Sequence, residues 1–127
     1  MEHARVAMGL PPQPYRLDPR LKELAFGGWE GLTWDEVETK YPGMQESRDA
    51  DKWGFTPPGG ESYAALAGRV KSWLDERDGD VFVVSHGGVA RAFIALLTDV
   101  APSAAANAEI WQGRVLIFDK GACSWAG

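Results

Sequence analysis

The chain has 127 residues, 45% of them hydrophobic and 11% aromatic, and a net charge of −5. That length suits a single domain with a hydrophobic core, and that composition excludes a disordered tract. The acidic balance leaves no overall basic footprint for nucleic acid. One cysteine excludes an intrachain disulfide, and no apolar run reaches membrane-spanning length or forms a secretory leader. A cytoplasmic location, without membrane contact, is the expectation.

In chain order, Met1 to Leu10 reads as the last turns of an amphipathic helix, closed by Gly9 and then Pro11-Pro12. Residues 14–18 suit a short extended piece, and residues 19–31 a glycine-rich loop with charged and aromatic side chains, the kind of loop that often carries function. Thr33 and Glu36 have capping-box spacing, which predicts a helix with Trp34, Val37 and Tyr41 on its apolar face and Pro42-Gly43 at its end. Residues 43–60 read as a long polar loop. A second helix is predicted from Glu61-Ser62, with Tyr63, Leu66, Ala67, Val70 and Leu74 on one face. Asp78-Gly79-Asp80 turns the chain into a strand over 81–85, followed by a mostly buried helix over Gly88–Leu97. Two closing strands, 109–112 and 114–119, are expected around Gln112-Gly113. Alternating strands and helices imply an α/β layered fold.

The strongest chemical signal is Val83-Val84-Ser85-His86-Gly87-Gly88. It places His86 at the carboxyl end of a buried strand and beside a helix N-terminus. Free backbone N–H groups and the helix dipole make that an anion site, and ligands of α/β sheets gather at the carboxyl ends of strands. A lone histidine after a strand is usually structural; the Gly-Gly and helix-start context favours a phosphate-site role. Metal ligation has little support, because His3, His86 and Cys123 are far apart in sequence. Cys123 also lacks the Cys-x5-Arg spacing of thiol phosphatases.

With Leu21-Lys22-Glu23-Leu24-Ala25-Phe26-Gly27-Gly28-Trp29-Glu30-Gly31 and Pro58-Gly59-Gly60-Glu61-Ser62, this segment resembles the histidine phosphatase superfamily, which includes phosphoglycerate mutases and small broad-specificity phosphatases. The motifs occur in the family's order along the whole chain. The resemblance implies a three-layer α/β/α phosphoglycerate mutase-like sheet. It puts Glu23 on the proton-donor position, His86 on the second active-site histidine and the Gly87 amide among the groups that hold phosphoryl oxygens. Asn107 falls where an asparagine is common. Glu30 is the competing acid and reads as structural or solvent-facing. Trp29 and Trp34 read as packing residues, Arg91 as packing or pairing along its helix in preference to binding phosphate, and Arg20 and Lys22 as solvated charges, with contact to a substrate's distal groups as the alternative.

The resemblance also implies segments this sequence does not contain. Family members carry an Arg-His-Gly whose histidine becomes phosphorylated, and a further phosphate-binding arginine. His3 is neither preceded by Arg nor followed by Gly. The sequence therefore reads as a truncated domain over 1–127, the C-terminal portion of the fold and incomplete at its N-terminal part.

The implied activity is phosphomonoester hydrolysis or phosphoryl transfer on a small phosphorylated substrate, with no metal or other cofactor required. A phosphatase is favoured over a mutase, and this chain by itself is expected to be inactive. The rivals are a non-catalytic relative that binds a phospho-ligand or a protein, and an inactive gene fragment. An unpaired apolar edge along 81–85 is also expected, leaving the chain marginally stable or paired with itself as a homodimer.

Overall fold

The computed structural model describes residues 2–7, 9–11 and 14–127. Met1, Met8 and Pro12, which belong to the predicted first helix and its stop, lie outside the described residues. Helix α1 spans Glu2–Ala7. Gly9 closes it with φ 76°, and the Leu10 amide reaches back to the Arg5 carbonyl at 2.8 Å, a glycine-terminated end. Val6 is exposed, so α1 presents no buried apolar face there.

The loop that follows contains two short 3-10 turns, Pro19–Leu21 and Gly27–Trp29. Helix α2, Trp34–Lys40, starts with the predicted capping box: the Thr33 hydroxyl accepts from the Glu36 amide and the Glu36 carboxylate from the Thr33 amide. Its Val37 is buried, whereas Trp34 is exposed and Tyr41 only half-buried.

The expected loop over 43–60 is broken by helix α3, Met44–Ala50. Gly43, at φ 81°, reverses the chain and lets Met-Gln-Glu-Ser-Arg-Asp-Ala, mostly good helix formers, begin a new helix. Polarity hid it, since this helix buries no residue.

Helix α4, Tyr63–Asp75, is capped by Ser62, whose hydroxyl accepts from the Ala65 amide at 3.0 Å. Tyr63, Leu66, Ala67 and Val70 are buried as predicted, Trp73 joins them, and Leu74 is only half-buried at their edge. Helix α5, Gly87–Leu97, lays Val89, Ala92 and Phe93 against that face. The α4–α5 pair is the centre of the core, with Leu24 from the loop and Ala106 from just after α6, Pro102–Ala105, packed onto it.

The predicted strand over 81–85 forms no ladder with any described residue. A strand needs a neighbour for its N–H and C=O groups, and none is adjacent. Val83 still packs on the core and Ser85 is partly buried, but Val81, Phe82 and Val84 are exposed. The closing sheet is also shifted from its expected place. Strand β1 is Val115–Asp119 and β2 is Ala122–Ala126, antiparallel, with Asp119 opposite Ala122. The turn is Lys120-Gly121, both at positive φ (51° and 79°), the two-residue form that suits the twist of a hairpin. Residues 109–112 are therefore not a strand; Gln112-Gly113 is a bend that leads into β1. No helix among the described residues is long and apolar enough to cross a membrane.

Candidate active site

Glu23 and His86 meet at the N-terminus of α5. His86 is the N-cap residue, extended at φ −127° and ψ 166°, and its side chain caps no amide and is exposed. The Glu23 carboxylate reaches the same spot from the loop: Oε2 accepts from the Gly88 amide at 3.4 Å, and Oε1 from the Leu24 amide at 2.7 Å. A negative group is favoured there by the unpaired amides and the helix dipole. A Cβ on Gly88 would push the Glu23 carboxylate end away and touch the Leu24 Cβ at 3.4 Å, so the bare glycine is what lets the carboxylate rest against this amide. Gly87 stands between His86 and Gly88 at the first helical position.

The loop that carries Glu23 is docked by backbone contacts. The Gly28 amide donates to the Pro58 carbonyl at 2.7 Å, and the Glu61 amide to the Ala25 carbonyl at 2.8 Å. The Ser85 hydroxyl donates to the Leu21 carbonyl at 2.6 Å, tying the loop to the segment that carries His86. Glu30, the competing acid, is exposed and accepts from the Phe26 amide at 3.1 Å. Trp29 is buried against Phe55 and meets the edge of Trp34, so Trp29 packs while Trp34 stays exposed under the Arg48 guanidinium.

Several residues that sequence reasoning passed over or misplaced sit around this centre. Arg69 of α4 forms a two-pronged pair with Glu61, Nε to Oε2 at 3.0 Å and Nη2 to Oε1 at 2.7 Å. Arg20 is not a free solvated charge: it donates to Asp18, Glu76 and Ser72 and fastens the loop to α4. Lys22 is exposed. Arg91 pairs, but across the core rather than along its helix: Nε donates to the Ala108 carbonyl at 2.8 Å and Nη1 to the Tyr63 hydroxyl at 3.2 Å. A Cβ built on Gly87 would lie 3.8 Å from Arg91 Nη1, so this guanidinium flanks the α5 N-terminus. Burial, then the like charges of Arg48 and Arg91, hold the Lys52 ammonium below its ordinary 10.5, with Asp49 opposing. Lys52 has no ion pair among the described residues. Asn107 donates to the Ser103 carbonyl at 3.1 Å and is exposed. His3 sits exposed on α1.

The carboxylates in these pairs titrate low. The Arg69 side chain holds Glu61 below its ordinary 4.5, with partial burial opposing and the Ala25 amide assisting. Arg20 does the same to Glu76, and its side chain and then its amide bring Asp18 from 3.8 to about 2. A carboxylate lowered on folding contributes stability that is complete above its unfolded value and lost as pH falls through its folded value. Denaturant midpoints are therefore expected to fall with pH from about 4.5 downward, and Arg69→Gln to flatten the part of that slope due to Glu61.

A carboxylate and a histidine thus meet at one helix N-terminus with the Arg91 guanidinium alongside, a setting that favours an anion. The family model for the histidine phosphatase superfamily (branch 1) matches residues 1–126, and the chain belongs to that superfamily. It is 37% identical over 81 residues to a Caenorhabditis elegans 6-phosphofructo-2-kinase/fructose-2,6-bisphosphatase, covering 62% of this chain and 18% of that protein. A Gallus gallus 6-phosphofructo-2-kinase/fructose-2,6-bisphosphatase is 33% identical over 95 residues, 73% of this chain and 20% of its own length. The structure of a mycobacterial glucosyl-3-phosphoglycerate phosphatase superimposes with a TM-score of 0.64 at 26% identity, covering 93% of this chain and 63% of that one. The chain thus spans about a fifth of the first two relatives and less than two thirds of the third. The fold is phosphoglycerate mutase-like α/β, as expected. The described residues hold its helices and a two-stranded sheet, an incomplete form of the three-layer arrangement.

Proposed function

We propose that this chain is the acid-and-second-histidine portion of a phosphatase that hydrolyses small phosphomonoesters through a phosphohistidine. The observation that carries the reading is the Glu23 carboxylate seated on the Gly88 amide, beside the His86 N-cap. In the first step a histidine nitrogen bonds to phosphorus, the P–O bond to the alcohol breaks, and Glu23 gives its proton to the leaving oxygen. In the second, water attacks phosphorus, Glu23 takes its proton, and the P–N bond breaks to free the histidine. His86 and the Gly87 amide hold the phosphoryl oxygens and stabilise their charge.

The nucleophile is a histidine outside this sequence, which has only His3 and His86 and no Arg-His-Gly; residues 1–127 are one truncated domain of the complete protein. Arg91 supplies the substrate preference: it flanks Gly87, so a second anionic group on the substrate finds positive charge beside the phosphoryl site. That favours a bisphosphorylated sugar or a phosphorylated acid over a neutral monoester.

The test is to purify the polypeptide from its source cells, weigh it intact and assay it on fructose 2,6-bisphosphate and on glycerol phosphate. A mass above 13.8 kDa, an Arg-His-Gly in the added part and preference for the bisphosphate support the proposal. A mass equal to this chain's with no turnover overturns it and leaves a phospho-ligand binder.

A further inference from the structure

Glu23 reaches α5 from a stretch with no helix and no ladder. Residues 22–26 are irregular and the Glu23 residue is exposed. Holding one carboxylate at one amide from such a stretch requires that its backbone be fixed on both sides, or the ordering entropy disperses it. Arg69 and Glu61 supply those fixings. Besides the pair with Glu61, Arg69 Nη1 donates to the Arg20 carbonyl at 2.7 Å and Nη2 to the Glu23 carbonyl at 3.1 Å. Glu61 Oε1 accepts from the Ala25 amide at 3.2 Å, and the Glu61 amide donates to the Ala25 carbonyl at 2.8 Å.

The backbone is therefore gripped at 20, 23 and 25, before, at and after the acid. Both gripping residues are referenced to α4, whose Leu66 and Val70 pack in the same core as Val89 and Ala92 of α5. The carboxylate and the helix end it touches are thereby registered to one rigid helix pair. A simple ion pair between Arg69 and Glu61 needs only the two bonds they share. The further bonds all run to the acid loop.

We infer that Arg69, with Glu61, is a positioning residue that sets the Glu23 carboxylate on the α5 N-terminus. The inference rests on the reading of Glu23 as the acid only for its functional meaning; the placement itself is measurable without turnover. Arg is needed because its planar fork serves a carboxylate and two carbonyls at once, which a lysine ammonium does not.

The test is a pH titration of the full chain followed by backbone amide NMR. The Gly88 amide shift reports the Glu23 carboxylate it donates to. Wild type is expected to show a pH-dependent step, and Glu23→Gln to abolish it. Arg69→Gln is expected to shrink the step to less than half while the Val89 and Ala92 amides keep their shifts, and Arg69→Lys to restore it only in part. A merely structural Arg69 lowers the melting temperature and leaves the Gly88 step unchanged. That outcome overturns the inference, as does a wild-type Gly88 amide with no step. If Arg69→Gln does not fold, Arg69→Lys and Glu61→Gln are read instead, and a full-size step in both overturns it. Failure of the acid reading shows elsewhere, as unchanged turnover in Glu23→Gln.

Discussion

Glu23→Gln is expected to lower hydrolysis of alkyl phosphates by roughly 10²–10⁴-fold, the usual worth of a positioned proton donor, in the polypeptide as its source cells make it. Glutamine keeps the size but has one acceptor oxygen where the carboxylate has two; it serves the Leu24 amide, the 2.7 Å partner, and gives up the 3.4 Å contact with the Gly88 amide, while the backbone bonds of the loop keep it in place and KM changes little. What is lost is the proton. The test is a comparison of leaving groups. An alkoxide needs protonation as the P–O bond breaks, whereas a nitrophenolate leaves without it. The loss should therefore be large for glycerol phosphate and much smaller for p-nitrophenyl phosphate in the first step. Equal turnover of wild type and variant on the alkyl ester sinks the assignment. The role would then pass to Glu30, whose carboxylate accepts from the Phe26 amide. A loss that is equally deep for both substrates points instead to a collapsed loop, which the Gly88 amide shift detects.

The sequence was most legible where a structure is set by neighbours within a few residues. The Thr33–Glu36 box, the Ser62 cap, the Gly9 stop and the apolar stripe of α4 are local chemistry, and each occurs where its pattern requires. The meeting of Glu23 with the end of α5 is not local. It links residues 65 apart and was legible only through resemblance of motifs, not through spacing. Arg69 was missed for the same reason: its carbonyl partners are 46 and 49 residues away, and on a helical wheel it is one more arginine beside an apolar face. The Val81–Ser85 run has the composition of a buried strand, but a ladder is a property of two segments, and no second one among the described residues adjoins it. The hairpin was misplaced because Gln112-Gly113 and Lys120-Gly121 look alike in sequence, and only the second has both residues at positive φ.

Gly27→Ala is expected to destabilise the fold by about 2–5 kcal/mol, combining about 1–2 for a left-handed backbone with a side chain and about 1–3 for forcing atoms into filled space. Gly27 sits at φ +57°, and a Cβ there runs into the Pro58 carbonyl oxygen, the Gly59 carbonyl carbon and the Gly60 nitrogen. These are backbone atoms and have no rotamer to yield. The same junction is tight from the other side, where a Cβ on Gly60 would meet the Ala25 oxygen at 2.7 Å and the Phe26 carbonyl carbon at 2.9 Å. Two loops dock main chain to main chain here, and the Gly28–Pro58 bond at 2.7 Å sits in the seam. Gly59→Ala separates the two costs: its φ is +69°, yet nothing lies within 4 Å of its Cβ, so only the backbone strain of about 1–2 kcal/mol applies. Denaturant midpoints at unchanged m-value measure both variants. A Gly27→Ala cost no larger than that of Gly59→Ala means the seam opens at little expense. The acid loop would then be held by the Arg69–Glu61 grip and the Ser85 hydroxyl, and Glu23 would keep its place without this glycine.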